Sequence, residues 1–262
     1  MDKKTDRNRR YLTSSELDIV IPVYNEGGNI KRLVEEIHAK VNTPYRIVIV
    51  YDFDEDDTLP IVYKLRRKYG NIELMKNAYG KGALNAIKTG LYNTNAQATL
   101  VMMADLSDDP IIVDRMFQMV MKGFDVVCAS RYMKGGRQVG GLWLKRTLSK
   151  LAGISLHWLA GIPTHDITNS YKMYSNRVLN EIKVESDGGF EVGMEMVIKA
   201  HFRGFKVGEI ECTWRDNPQS ISRFKMARWI PKYMKWYIYA LKMRVSRSGK
   251  TIMARLIGRG TK

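Results

Sequence analysis

Beyond Asp216 the sequence contains no aspartate or glutamate, although basic residues continue from Arg223 to Lys262. The net charge of +16 is therefore concentrated toward the C-terminal end, and it asks for an anionic partner: nucleic acid, anionic lipid headgroups or a phosphorylated substrate. Cysteine is nearly missing. Cys128 and Cys212 lie far apart and match no metal-ligand or redox spacing, so no disulfide framework is expected and a reducing, cytosolic environment fits. No window approaches the roughly 20 apolar residues needed to span a bilayer. The charged opening MDKKTDRNRRYLTSSE has no apolar region behind it, so any membrane contact is expected to be peripheral. His38, His157, His165 and His201 show no i,i+4 pairing and no cysteine partners, which argues against zinc. The G-x-S-x-G, Walker A and G-x-G-x-x-G patterns are also absent, which argues against hydrolase, P-loop and dinucleotide-binding readings.

What is present suits one catalytic domain with short appendages. The chain has 262 residues, 45% of them apolar, enough to bury one sizeable core. A charged tail over 1–16, a catalytic domain over 17–222 and a basic, aromatic segment over 223–262 are the expected divisions. Short β-branched runs at 17–23, 45–51, 71–75, 99–104 and 124–129 alternate with helical periods. Ile30, Leu33, Val34, Ile37 and Val41 form one such stripe, and 59–69, 83–92 and 111–121 are the next helices. That alternation predicts an α/β doubly wound sheet, with ligands beyond the carboxyl ends of its strands. After Gly141 helices dominate, and strands are expected only near 170–174 and 207–214.

The strand ends are polar. The first runs into Pro22, Tyr24, Asn25 and Glu26, either a ligand contact or an ordinary turn with Asn25 as a helix cap. The second runs into a loop of five acids, Asp52, Asp54, Glu55, Asp56 and Asp57, of which Asp52, directly at the strand end, is the site candidate. The fourth runs into Ala104-Asp105-Leu106-Ser107-Asp108-Asp109-Pro110. A carboxylate there could hold Mg2+ or Mn2+ between two phosphates, since hard oxygen ligands suit these ions. Asp108 or Asp109 is expected instead to cap the helix beginning near Pro110. Arg131 closes the fifth strand in Ser130-Arg131-Tyr132.

In order, IPVYNE, VYDFDEDDT, YGKGALNAIKTG, MADLSDDP, ASRYMKGG, THDITNSYKMY, FEVGMEM and WRDNPQSISRFK resemble the inverting glycosyltransferases of GT-A fold, in the branch of dolichol-phosphate mannosyltransferases and polyprenyl-phosphate glycosyltransferases. The resemblance covers about Leu17 to Tyr239. It implies a Rossmann-like, doubly wound mixed sheet with flanking helices. It also implies a hexose moved from a nucleotide-sugar to a polyprenyl (dolichyl or undecaprenyl) phosphate at the cytoplasmic membrane face. Pro22, Tyr24, Asn25, Glu26, Asp52 and Ala104 would then contact the donor, with Gly80-Lys81-Gly82 near its base or phosphates and Arg223 and Lys225 reaching the donor phosphates. Asp105 would be the second acid of the metal-binding D-x-D pair. Arg131, Lys145 and Ser149 would hold the acceptor phosphate, with Asp166 beside the reacting sugar and Glu195 close to Asp166. This sequence departs from the family pattern at Met103, where the first D-x-D acid stands, at Tyr51 and Phe53 flanking Asp52, and at Ser107, Asn217 and Ser220.

An acceptor phosphate is already anionic, so the reaction would need alignment and charge stabilisation more than a strong base. Between Lys225 and Lys242 a helical wheel separates Lys225, Arg228, Lys232, Lys235 and Lys242 from Met226, Trp229, Tyr233, Tyr237 and Leu241, with Pro231 expected to start or kink the helix. The aromatic arc could lie in the headgroups of an anionic membrane, with Trp229, Trp236 or neighbouring tyrosines inserted, or pack on the catalytic domain, or do both. A glycosyltransferase with a non-lipid acceptor is the nearest alternative. A basic nucleic-acid-binding protein is disfavoured because the acidic loops would repel a phosphate backbone. A nucleotidyltransferase is disfavoured by the poor match of PVYNEGGN to a Gly-rich phosphate loop.

Overall fold

The computed structural model describes residues 16–217 and 226–257. Its centre is a seven-stranded sheet in the order β3-β2-β1-β4-β7-β5-β8, where β1 is Leu17–Pro22, β2 Tyr45–Tyr51, β3 Ile72–Lys76, β4 Ala98–Val101, β5 Val126–Ser130, β7 Lys172–Ser175 and β8 Val207–Glu211. β6 (Arg137–Val139) and β9 (Thr213–Arg215) form a separate two-stranded parallel ribbon. The helices are α1 (Gly27–Lys40), α2 (Thr58–Lys68), α3 (Ala83–Tyr92), α4 (Val113–Met121), α5 (Trp143–Ala160), α6 (Asn176–Glu181), α7 (Val192–Arg203) and α8 (Met226–Ile257).

β1 is buried along its whole length because it is covered on both faces, which explains its unbroken apolar run. On one face Ile30, Leu33, Val34 and Ile37 of α1 pack with Ile19, Ile21, Ile47 and Ile49. On the other, α3 approaches so closely that a Cβ at Gly90 would lie 2.2 Å from Val20 Cγ1. The sheet is therefore doubly wound, and its strands are parallel except β7, which is antiparallel to both β4 and β5.

That reversed strand matters for function. Because β7 runs backward, its beginning lies at the edge where β4 and β5 end: Lys172 pairs with Val101 and with Cys128. The segment leading into β7, including Asp166, is thereby delivered to the crevice where the parallel strands deliver Pro22, Tyr51, Val101 and Ser130. β4 stops at Val101, shorter than the expected 99–104, because the chain leaves the ladder toward Asp105 after a last bond from Met102 N–H to Val20 O (3.0 Å).

α8 runs through Pro231, which does not start it. Its aromatic arc faces the protein. Trp236 is 2% exposed and donates to Ser186 Oγ (3.0 Å), Tyr237 donates to Ser155 Oγ (2.9 Å), and the Trp229 ring lies where a Cβ on Gly189 would stand. Of the two expectations for this arc, packing on the catalytic domain holds for Trp229, Trp236 and Tyr237, with Trp236 buried and the other two half-buried. Among the described residues no helix is long and apolar enough to cross one.

Candidate active site

The turn after β1 is tied to the acidic loop after β2. Asn25 takes φ 52°, a left-handed conformation that asparagine tolerates, and its N–H donates to both carboxylate oxygens of buried Asp56 (3.1 Å each). Glu26 N–H donates to Thr58 Oγ1 (2.9 Å) and Gly27 N–H to Asp57 Oδ1 (2.9 Å). Asp56 and Asp57 thus shape the turn and leave Tyr24 on the rim, its ring edge-on to Phe53 at 5.3 Å between centroids. The Glu26 carboxylate accepts from Asn29 Nδ2 (2.8 Å), and Pro22 is buried at the strand end. Asp52 accepts from Asn77 Nδ2 (2.8 Å) and Gly82 N–H (2.8 Å), so it organises the 77–82 loop that places Lys81 5.6 Å from the centre of the Phe53 ring.

Ala104 is buried, and Asp105 follows it at the lip of the crevice. Leu106 takes φ 63°, a strained value for a branched side chain, and this turn lets Ser107 donate to Asp105 Oδ1 through both its N–H (3.0 Å) and its hydroxyl (2.6 Å). Asn217 Nδ2, beyond β9, donates to Asp105 O (3.1 Å) and Asn29 Oδ1 (3.4 Å), so it ties the end of β9 to the Asp105 loop and to α1. Asp109 caps the short 3-10 turn at Pro110–Ile112 by accepting from Ile111 N–H, as expected for one of the pair. Asp108 does not cap. It is buried, its Oδ1 has no hydrogen-bond partner among the described residues, and burial followed by the nearby Asp105 pushes its carboxyl up to about 8, against the pull of Arg131.

A second cluster is built around Arg131. Its Nε and Nη2 donate to Asp166 (2.6 and 2.9 Å) in a forked pair, its own N–H donates to Asp166 Oδ2 (3.1 Å), and Nη2 also reaches Ser149 Oγ (3.1 Å) and Thr168 Oγ1 (3.2 Å). Nη1 takes no part in these bonds. Burial alone would raise the Asp166 carboxyl, but the Arg131 charge and hydrogen bonds hold it below the usual range. Burial opposes the Arg131 charge, and Asp166 more than restores it. Ser149 projects from α5 into this group and also accepts from Tyr132 Oη (3.0 Å). Lys145, one turn earlier on α5, is held below its ordinary range by burial and then by the Arg131 charge, while Asp105 and Asp216 draw it upward. Lys145 therefore senses both halves of the crevice.

The structure brings Ser149 and Asp166 into direct contact with Arg131, and Lys145 feels the charges of both Arg131 and Asp105. Glu195 is not brought to Asp166. Its carboxylate accepts from Glu185 N–H (2.6 Å), Ser186 N–H (2.8 Å) and Lys199 Nζ (2.5 Å). Arg223 and Lys225 lie outside the described residues. Sequence reasoning passed over Thr168, Tyr132 and Lys172. Lys172 is buried and donates to the carbonyls of Ile167 and Asn169, bracing the segment that carries Asp166; the available signal was a lysine inside an apolar strand.

A model of glycosyl transferase family 2 matches residues 18–183. The chain is 26% identical over 232 residues to a dolichol-phosphate mannosyltransferase of Pyrococcus furiosus, covering 84% of this chain and 64% of that protein. It is 28% identical over 229 residues to a polyprenol monophosphomannose synthase of Mycolicibacterium smegmatis, covering 80% and 85%. In fold it resembles glucosyl-3-phosphoglycerate synthase from Mycobacterium tuberculosis, a structure in complex with Mn2+, UDP and glucosyl-3-phosphoglycerate, with TM-score 0.61 and 15% identity over 90% of this chain and 80% of that one. A second structure of that synthase, with Mg2+ and UDP, gives TM-score 0.62 over 88% and 79%. With the match spanning the turn after β1, Asp105, Arg131 and Asp166, the chain belongs to glycosyl transferase family 2.

Proposed function

We propose that the protein transfers a hexose from a nucleotide-sugar to the phosphate of a polyprenyl lipid, dolichyl or undecaprenyl, with inversion at the anomeric carbon, while held peripherally at the cytoplasmic membrane face. The observation that carries this reading is one crevice with two unlike halves: an acid, Asp105, on the donor side and a buried arginine with Ser149 and Lys145 on the other. The names of the two sequence relatives support a lipid phosphate as acceptor.

The donor half would receive the nucleoside between Tyr24 and Phe53, beside the loop that Asp52 organises, with Lys81 near the phosphates. Among the described residues no three metal-ligating side chains converge. That fits magnesium or manganese nonetheless, since Mg2+ is commonly held by one or two carboxylates together with substrate phosphates and water. Asp105 would supply that carboxylate, and the ion would neutralise the departing diphosphate. In the acceptor half, Asp166 is spent on fixing Arg131 and is a positioning residue, not a base. An anionic phosphate oxygen does not require one. Lys145, Ser149 and Arg131 would align that oxygen with the anomeric carbon.

These groups recognise a phosphate and not what it is attached to, so a soluble phosphorylated acceptor is the second reading. The test is release of nucleoside diphosphate from a panel of nucleotide-sugars with Mg2+ or Mn2+, given polyprenyl phosphate in one arm and soluble sugar phosphates in the other. Turnover only with the lipid supports the first reading, and turnover only with soluble phosphates replaces it. Oligonucleotides are expected not to bind.

A further inference from the structure

Arg131 and Asp166 reach their forked contact from different segments of the chain, and both segments are registered on β8. β5, which ends just before Arg131, pairs with β8 so that Cys128 stands opposite Glu209 and Ser130 opposite Glu211, and Cys212 N–H donates to Ser130 O (3.0 Å). The Asp166 segment hangs from the same strand through one side chain. Glu209 Oε2 accepts from His165 N–H (2.8 Å) and from Thr164 Oγ1 (3.2 Å), and Glu209 Oε1 bonds the His165 ring at Nδ1 (2.6 Å). Thr164 Oγ1 in turn accepts from Asp166 N–H (3.1 Å). The consecutive backbone N–H groups of His165 and Asp166 are thus satisfied by a single carboxylate, directly or through one buried hydroxyl.

α5 closes the other side of this segment. The His157 ring stacks on that of His165 with centroids 4.0 Å apart, its Nδ1 bonds Ile162 O (2.9 Å), and Gly153 lets the helix close on the backbone of His165 and Asp166. From this chain of contacts we infer that Glu209 is a positioning residue for transfer: through Thr164 and His165 it sets Asp166, and through Asp166 the guanidinium of Arg131. A forked pair fixes angle as well as distance, so it needs both partners in register. With Glu209 in place both are measured from β8. Without it Asp166 loses that reference while Arg131 keeps its own.

The inference rests on the proposed role of Arg131 toward the acceptor phosphate and adds a residue to it. A carboxylate at the opposite edge of the sheet supplies the control. Asp125, just before β5, accepts from Arg177 Nη2 (2.8 Å), Lys206 N–H (2.9 Å) and Ser175 Oγ (3.3 Å), a comparable set of bonds remote from the crevice.

The test compares Glu209→Ala, Glu209→Gln and Asp125→Ala in the full chain. Glutamine keeps an oxygen for His165 N–H and Thr164 Oγ1, and its amide can donate to His165 Nδ1, so Glu209→Gln should behave as wild type. The first readout needs no acceptor. With arginine labelled in nitrogen-15, the Arg131 Nε–H resonance, identified by its loss in Arg131→Lys, should move in Glu209→Ala and stay in place in Glu209→Gln and Asp125→Ala. The second is transfer to polyprenyl phosphate at saturating nucleotide-sugar, below the melting temperature of every variant. Acceptor kcat/KM should fall on the order of 10- to 100-fold in Glu209→Ala, since misplacing a binding group by about 1 Å can cost that much. Glu209→Gln and Asp125→Ala should keep the wild-type value, and nucleoside diphosphate affinity by calorimetry should be the same in all. If Glu209→Ala does not fold, Thr164→Val, which removes only the relaying hydroxyl, is read in its place with the same expectations. A folded Glu209→Ala with the wild-type Arg131 resonance, or one that loses no more acceptor kcat/KM than Asp125→Ala, overturns the inference. A wild type that turns over no phosphate acceptor defeats the acceptor assignment instead, and the resonance alone then decides whether Glu209 positions Arg131.

Discussion

Replacing Asp108 by asparagine keeps the side chain's shape and removes its ionisation. In the folded protein this carboxyl is pushed up to about 8 by burial and by Asp105, from an ordinary value of 3.8. Between those values the unfolded chain has lost the proton while the native protein keeps it, so stability falls as pH rises through that window and levels off above the folded value. One pH unit of separation is about 1.4 kcal/mol. At about pH 5 the native state has given up on the order of 1.5 kcal/mol to this group, and at about pH 7 on the order of 4 kcal/mol. Asp108→Asn should therefore gain on the order of 3 kcal/mol relative to wild type between those two pH values. Urea unfolding followed by tryptophan fluorescence, at a series of pH values without divalent cations, reads that difference directly. Parallel stability curves for wild type and variant from about pH 5 to about pH 8 would refute the reasoning and mean that Asp108 has a partner in solution.

Asp105→Asn should abolish transfer and leave the thermal melt unchanged; wild-type turnover, or full wild-type activity in excess chelator, would remove Asp105 from metal binding. Asp52→Ala cuts the bonds to Asn77 and Gly82 and should weaken nucleotide affinity more than it lowers kcat, as calorimetry with the nucleoside diphosphate and single-turnover rates can separate. Asp166→Asn leaves the buried Arg131 charge without its partner and should cost about 3–5 kcal/mol in denaturant unfolding, whereas loss of a merely exposed pair would cost under about 1 kcal/mol. Gly153→Ala puts a Cβ 2.0 Å from His165 O and should lower both melting temperature and turnover, with no change in nucleotide affinity.

The parallel half of the fold is legible because β1 and β2 are buried on both faces and their helices on one, so apolar runs and stripes report their surroundings directly. β7 is different. Nothing in Lys172-Met173-Tyr174-Ser175 reveals that it enters the sheet antiparallel between β4 and β5, since partner and direction are settled by the returning chain. The same limit explains Asp108: in sequence it is one of two acids before a proline, and only the fold shows that Asp109 makes the cap while Asp108 points inward. Arg131, Ser149 and Asp166 could be singled out through family resemblance, but their mutual contact comes from three separate elements. In α8 the periodicity separated two arcs without saying which faced inward, and Trp236 against Ser186 is the answer.

The contact of Gly153 with the backbone of His165 and Asp166 has a mechanical consequence. With no side chain between them, α5 and the Asp166 segment have no slack along their contact, and Ser149, Arg131 and Asp166 bolt the same pieces together one turn away. A load applied to the outer side of α5 is therefore carried by the arginine cluster as a rigid bracket, and cannot be absorbed as a hinge between them.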